Sequence, residues 1–201
     1  MNRLYLLRHG LTRGNLEHLY YGSTDLPLCE EGMRQLDALR ENGGYPDPEG
    51  LLIVTSGMLR TEQTLAAIYG ETKHERWPAL REMDFGVFEG RTYIEMENDA
   101  QYREWVEDMC RGRCPGGESR DEFAARVCAA FEKLMDESED DVVIVAHGGT
   151  QKSVMERFAV PHEPYFSRTA KNGTGYELSA SRWQRGRTLE LTRRVSFLKE
   201  D

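Results

Sequence analysis

Arg3-Leu4-Tyr5-Leu6-Leu7-Arg8-His9-Gly10 decides the fold: a short apolar run that ends abruptly in a cation, an imidazole and a glycine. Two further runs have the same form, Leu51–Thr55 and residues 141–147, and the second again ends in His147-Gly148-Gly149. Short, continuous apolar runs suit strands buried on both faces, as in a parallel sheet covered by helices. Helical spacing lies between them. Met33, Leu36 and Leu39 recur after Glu30-Glu31-Gly32, and Leu59, Leu65 and Ile68 recur before Gly70. Phe123, Val127, Phe131 and Leu134 mark a third helix, with Glu118 and Ser119 near its start. Alternating strands and helices predict an α/β fold, a three-layer α/β/α sandwich on a mostly parallel sheet.

Residues 174–178 and 188–194 read as two more strands joined by a short polar turn at Arg185-Gly186. At least one of them then pairs antiparallel, which makes the sheet mixed. Residues 92–115 are polar and aromatic without a strand pattern, and predict a small helical cap insertion. Tyr93, Tyr102, Trp105 and Met109 are read there as packing of the insertion rather than ligand contacts. No internal repeat or long linker divides the chain, so residues 1–201 are expected to form one domain.

Composition narrows the function classes. Of 201 residues, 26 are Lys or Arg and 35 are Asp or Glu, a net charge of −9, and the mean hydropathy is −0.66. No apolar run approaches the roughly 20 residues that cross a bilayer. The first residues reach Arg8 too soon for a secretory core, so the cytoplasm is the expected compartment. Cys29, Cys110, Cys114 and Cys128 lack the paired spacing of a zinc site and are expected to be free thiols. The acidic balance argues against nucleic acid as a partner. An anionic ligand therefore requires positive charge gathered in one pocket.

The sequence places such charge at strand ends. Arg8-His9 and His147-Gly148 each follow a predicted strand, where α/β sheets collect ligands and where the next helix offers free N–H groups. Arg60, in Thr55-Ser56-Gly57-Met58-Leu59-Arg60, opens the helix after the second strand, and its fork matches a phosphate bidentately. Two arginines, two histidines and Asn15 make a dianion site, and the simplest dianion is a phosphoryl group. A neutral imidazole accepts a phosphoryl group, and neighbouring guanidiniums favour the neutral form. The leaving alkoxide needs a proton, for which Glu82 in Leu80-Arg81-Glu82-Met83-Asp84-Phe85-Gly86 is the candidate, ahead of Asp84 and Glu89. The competing reading of Arg60 is a surface ion pair to Glu62 or Glu82, and that of Glu82 is a partner for Arg81. His18, His74 and His162 have no partner pattern and are expected at the surface.

Arg8-His9-Gly10 with Thr12 and Asn15, Tyr21-Gly22 with Asp25-Leu26-Pro27-Leu28, Arg60, residues 82–86, Phe88-Glu89-Gly90, Gly116-Gly117-Glu118-Ser119 and His147-Gly148-Gly149 together resemble the histidine phosphatase superfamily, also called phosphoglycerate-mutase-like. The resemblance implies that His9 is phosphorylated and that Glu82 donates the proton. It implies that Arg8, Arg60 and His147 bind the transferred group, with Asn15 and the Gly148 N–H assisting, and that Thr12, Tyr21 and Gly22 belong to the phosphate or substrate site. No metal or cofactor is implied, because the arginines supply the positive charge. The runs from Tyr21 and from Phe88 look most like the α-ribazole and broad-specificity phosphatase branch. A small phosphorylated metabolite is the expected partner. Cofactor-dependent phosphoglycerate mutation and non-catalytic binding of a phospho-ligand are the alternatives. Acidic residues outnumber basic ones in the cap, which disfavours the mutase.

Overall fold

The computed structural model describes residues 3–162, 164–167 and 170–195. Its sheet has seven strands: β1 (Arg3–Arg8), β2 (Leu51–Thr55), β3 (Glu75–Arg76), β4 (Asp141–Ala146), β5 (Ala159–Val160), β6 (Gly175–Ser179) and β7 (Leu189–Val195). Their order across the sheet is β3-β2-β4-β1-β6-β7-β5. β3, β2, β4 and β1 run parallel, and β6 is antiparallel to both β1 and β7. The mixed sheet expected from the sequence is present. The two-residue edge strands β3 and β5 are too short to show a hydrophobic period, and nothing in the sequence announced them.

Side chains alternate across the sheet and divide the core in two. Tyr5, Leu7, Ile53, Val143 and Val145 pack with Leu36 and Leu39 of α2 (Glu30–Glu41) and with Leu65 and Ile68 of α3 (Leu59–Tyr69). On the other face, Leu4, Leu6, Val142 and Ile144 pack with α5 (Arg120–Glu137) and α6 (Gly148–Phe158). A four-residue helix α1 (Arg13–Leu16) follows β1, and α4 (Ala100–Glu107) stands alone in the insertion. All four residues that marked the third predicted helix are fully or almost fully buried in α5. Its start is fixed by Ser119, whose hydroxyl accepts the Glu122 N–H while the Glu122 carboxylate accepts the Ser119 N–H.

Three expectations need correction. Met33 and Leu59 lie on helices as predicted but on their solvent faces. The turn at Arg185-Gly186 is the short helix α7 (Trp183–Gly186), because Trp183 buries its ring against Phe131 and Phe158 and the backbone coils to deliver it. Only residues 100–107 of the 92–115 insertion are helical. Tyr102 and Trp105 of α4 pack into an aromatic cluster with Tyr20, Phe85 and Phe88, whereas Tyr93 and Met109 are exposed. Among the described residues no helix is long and apolar enough to cross a membrane.

The connections set where a ligand enters. The chain leaving β1 reaches α2 on one face of the sheet, and the chain leaving its parallel neighbour β4 enters α6 on the other. Such a switch opens a crevice beyond the carboxyl ends of the two strands. Phe131 ties α5 to α6 and α7 beneath it, stacking on Phe158 at 5.3 Å. Phe131→Ala is expected to cost about 3–5 kcal/mol, read as a lower urea midpoint at unchanged m-value.

Candidate active site

Arg8 pairs with Ala146 at the ends of β1 and β4, so His9 and His147 leave adjacent strands at the same level. Their ring centroids are 5.4 Å apart. The His9 backbone is pinned on several sides: its N–H donates to Ala146 O, its carbonyl accepts from the Gly173 N–H and the Asn172 amide, and the next N–H donates to Thr64 Oγ1. His9 Nδ1 lies 2.7 Å from Gly10 O, a carbonyl that can only accept, so Nδ1 carries the proton and Nε2 keeps the lone pair. The ring is 3 % exposed. Burial, followed by the charges of Arg60 and Arg8, holds His9 well below the usual histidine range. An imidazole that is neutral, oriented and presents a free lone pair is a nucleophile.

His147 is neutral for the same reasons: burial first, then Arg60, His9 and Arg8. Arg60 Nε donates to its Nδ1 at 3.2 Å, which places the proton on Nε2, and Nε2 donates to Ser56 Oγ at 2.8 Å. Arg60 has no exposed surface and pairs with neither Glu62 nor Glu82. Its Nη1 donates to Thr24 O and its Nη2 to Gly22 O, while the half-exposed Asp25 carboxylate stands 3.7 Å away. Asp25 mainly caps α3 from outside, accepting the Leu59 N–H with both oxygens. Arg8 donates Nη1 to Ala170 O, and its buried Nε has no protein partner. A buried donor left open in a cationic cleft fits an anion's oxygen.

A cavity of about 150 Å³ is lined by Arg8, His9, Asn15, Tyr21, Arg60 and Glu82, among others. Six of the predicted site residues thus meet in one place. Asn15 Oδ1 accepts the Thr12 N–H and the Asn172 amide, which leaves the Asn15 NH2 group for a ligand. Tyr21 forms a wall, its ring 5.1 Å from the Arg60 guanidinium and edge-on to His9 at 6.4 Å. Gly148 lines the adjoining cavity and opens α6 directly after His147, where helix N–H groups attract negative charge.

Thr12 and Gly22 depart from the expectation that they touch the ligand. Thr12 is fully buried, caps α1 and donates to the Tyr21 hydroxyl at 2.7 Å. Gly22 presents its carbonyl to Arg60, and a Cβ on it would fall 1.6 Å from Met83 O, so only glycine fits. Both residues hold the walls of the cavity in place.

Glu82 accepts the Met83 N–H with Oε1 and the Gly149 N–H with Oε2. A Cβ on Gly149 would meet Oε1 at 2.1 Å, so the second glycine of His147-Gly148-Gly149 makes room for this carboxylate. Arg81 is not its partner. Instead Arg126, paired bidentately with Glu118, donates to the carbonyls of Ala79, Arg81 and Glu82 and fixes the segment. Arg126, Ser56 and Asn172 were missed in the sequence. Ser56 had a legible signal, since it directly follows a predicted strand. His74, expected to lack a partner, bonds Glu62 at 3.1 Å in a cluster with Arg76. The four cysteines are free, and among the described residues no group of three or more His, Cys, Asp or Glu side chains is arranged to hold a metal.

Glu89 joins the two halves of the clamp. Its Oε1 accepts the N–H groups of Gly22, Ser23 and Phe85, and its Oε2 accepts the N–H and hydroxyl of Thr24. One carboxylate therefore holds the loop whose carbonyls carry Arg60 against the segment that carries Glu82. Burial pushes the Glu89 pKa up, but these bonds outweigh it, and the net position is below the usual glutamate value. A depressed carboxylate adds stability that is present above the unfolded pKa and fades as pH falls through the folded one. Glu89→Gln is expected to weaken binding of inorganic phosphate, read by calorimetry, and to destabilise the fold at pH 7. The stability difference from wild type should shrink as pH drops below about 4, as followed by urea unfolding across pH.

The histidine phosphatase superfamily (branch 1) model matches residues 4–190. The chain is 30% identical over 157 residues to a 6-phosphofructo-2-kinase/fructose-2,6-bisphosphatase of Caenorhabditis elegans, a match covering 77% of this chain but only 34% of that protein. It is also 30% identical over 162 residues to an acid phosphatase of Mycobacterium tuberculosis, covering 78% of this chain and 75% of the relative. The α-ribazole phosphatase of Shigella flexneri superposes with a TM-score of 0.84 at 22% identity, over 97% of this chain and 96% of that one, which shows a shared fold. With His9 and His147 paired at the ends of two adjacent strands, Arg8, Arg60 and Glu82 lining the cavity beside His9, and the family model matching residues 4–190, the chain belongs to the histidine phosphatase superfamily.

Proposed function

We propose that the protein hydrolyses phosphomonoesters through a phosphohistidine on His9, with Glu82 as proton donor and then as base. The observation that carries this reading is the pairing of a neutral, oriented His9 with Arg60 and with the unpartnered Nε of Arg8 in one cavity bordered by Glu82. Phosphoryl transfer depends on positioning and on charge stabilisation of the equatorial oxygens, and two guanidiniums, the Asn15 amide and the α6 terminus supply both. The acid phosphatase relative supports hydrolysis as the outcome.

In the first step the His9 Nε2 lone pair bonds to phosphorus while the ester P–O bond breaks. The electron pair leaves on the ester oxygen, and the Glu82 carboxyl gives that oxygen its proton, releasing the alcohol. In the second, the Glu82 carboxylate takes a proton from water as the water oxygen bonds to phosphorus. The P–N bond breaks, its pair returns to Nε2, and inorganic phosphate departs. His147 stays neutral throughout and directs Arg60, so the positive charge at the phosphoryl group comes from the arginines. We propose that no metal takes part.

A cofactor-dependent mutase would return the phosphoryl group to substrate rather than to water. Counting inorganic phosphate against isomerised phosphoglycerate in one assay separates the two outcomes, and hydrolysis is expected to dominate. The runs at Tyr21 and Phe88 suggest the α-ribazole branch, and within the site they position Arg60 through the Gly22 carbonyl and Glu89.

His9→Ala is expected to abolish hydrolysis with the fold retained, and acid-labile, base-stable phosphate should appear on the wild-type protein during turnover. Near-normal activity in His9→Ala would overturn the reading. Glu82→Gln should lower kcat/KM, which reports the first step, by about 10²–10⁴-fold for alkyl esters and far less for p-nitrophenyl phosphate, whose leaving group needs no proton, while breakdown of the phosphohistidine slows alike for every ester. Activity should survive chelation. It should also show no loss as pH passes down through about 6.5, because the folded His9 remains neutral there. Stability should nonetheless begin to fall below that pH, where the unfolded state binds the protons that both buried histidines refuse.

A further inference from the structure

Two cations stand in the cleft and have no role in the scheme above. Beside the His9 cavity lies a second one of about 270 Å³, lined by Glu82, Trp105, Arg120, Lys152, Tyr165 and Phe166, among others. The two cavities share Arg8, Tyr20, Glu82 and Phe85, so Glu82 stands on their boundary. If Glu82 protonates the ester oxygen, the phosphoryl group lies on the His9 side of that boundary and the alcohol portion on the Lys152 side. This step rests on the reading of His9 and Glu82 proposed above.

Lys152 comes from the second turn of α6, and Arg120 is the first residue of α5. They converge on one aromatic pair, Tyr165 and Phe166, whose rings meet edge to face at 5.0 Å. The Lys152 ammonium lies 5.5 Å from both rings, and the Arg120 guanidinium lies 5.1 Å from Tyr165 and 5.9 Å from Phe166. Both side chains are half-buried. Among the described residues neither pairs with a carboxylate, and Arg120 makes one long bond, 3.4 Å, to the Met109 carbonyl. Burial lowers the Lys152 pKa, and the more distant Glu82 only partly restores it.

Two like charges, half out of water and resting on a shared aromatic pair without a counter-ion, repel one another and are incompletely solvated. An anion between them relieves both costs. The acidic cap borders this pocket through Trp105 and Cys110, but the two cations come from helices outside the insertion, and among the described residues no cap carboxylate pairs with them. We infer that the cavity selects phosphomonoesters whose alcohol portion carries a second anionic group, a carboxylate or a phosphate, held by Lys152 and Arg120.

The test compares 3-phosphoglycerate and 1,3-propanediol bisphosphate with glycerol 3-phosphate, which has no second anion. Released phosphate gives kcat/KM for each. At least one anionic ester should exceed the neutral one by about tenfold or more, and the ester that does so identifies carboxylate or phosphate as the preferred group. Lys152→Met and Arg120→Gln should each move that ratio toward one, and Lys152→Arg should retain it. Equal use of all three esters by the wild type would overturn the inference. So would variants that lower every ester by the same factor, since Lys152 would then act on the chemistry through Glu82. Binding of the same esters to His9→Ala, followed by calorimetry, reads the preference without turnover. Failure of the phosphatase reading would abolish hydrolysis and leave this preference intact, whereas absence of the subsite would remove the preference from both measurements.

Discussion

Arg60 is a cation with no exposed surface, and the arrangement of the site follows from satisfying it. A buried guanidinium is tolerated only when its donors find acceptors. Here the acceptors are two backbone carbonyls, of Gly22 and Thr24, and one imidazole nitrogen, of His147. No carboxylate directly hydrogen-bonds the fork, and the half-exposed Asp25 at 3.7 Å offsets its charge only in part, so positive charge remains for an anion. Its bond to His147 fixes that ring's tautomer, and its field helps to keep His9 neutral. The charge that attracts phosphate is also the charge that prepares the nucleophile.

Holding that cation requires a chain of supports running outward from the cleft. The carbonyls of Gly22 and Thr24 stay in place because Glu89 gathers the surrounding N–H groups. The Glu82 segment stays in place because Arg126, braced by Glu118, gathers its carbonyls. The motifs that lie away from the reacting atoms, Phe88-Glu89-Gly90 and Gly116-Gly117-Glu118-Ser119, thereby acquire a physical reason. Each supplies a carboxylate that ties one loop to the next and keeps the cleft at a fixed width.

Much of the site was legible because strand ends are legible. An apolar run that stops at Arg8-His9-Gly10, and another that stops at His147-Gly148-Gly149, locate two imidazoles at the carboxyl edge of a sheet before any coordinates are known. Thr12 and Gly22 were misplaced for an instructive reason: their position in a motif indicates proximity to the cleft, while their contacts show that they brace it from behind. Lys152 and Arg120 escaped notice because each sits on a helix among ordinary solvated charges. Their meeting depends on how α5 and α6 pack, a contact between segments more than twenty residues apart in the chain.

The sequence by itself determined the alternation of strands and helices, the residues at the strand ends and the excess of acid that forces positive charge into one place, since these follow from local period and from composition. Tertiary structure decided which strands became neighbours, that Arg60 would be buried rather than paired at the surface, and that two unrelated helices would each carry a cation into the same cavity. Local chemistry reports what a residue is able to do. Its partners are set by packing between distant segments, and it is those partners that fix its charge state and its direction.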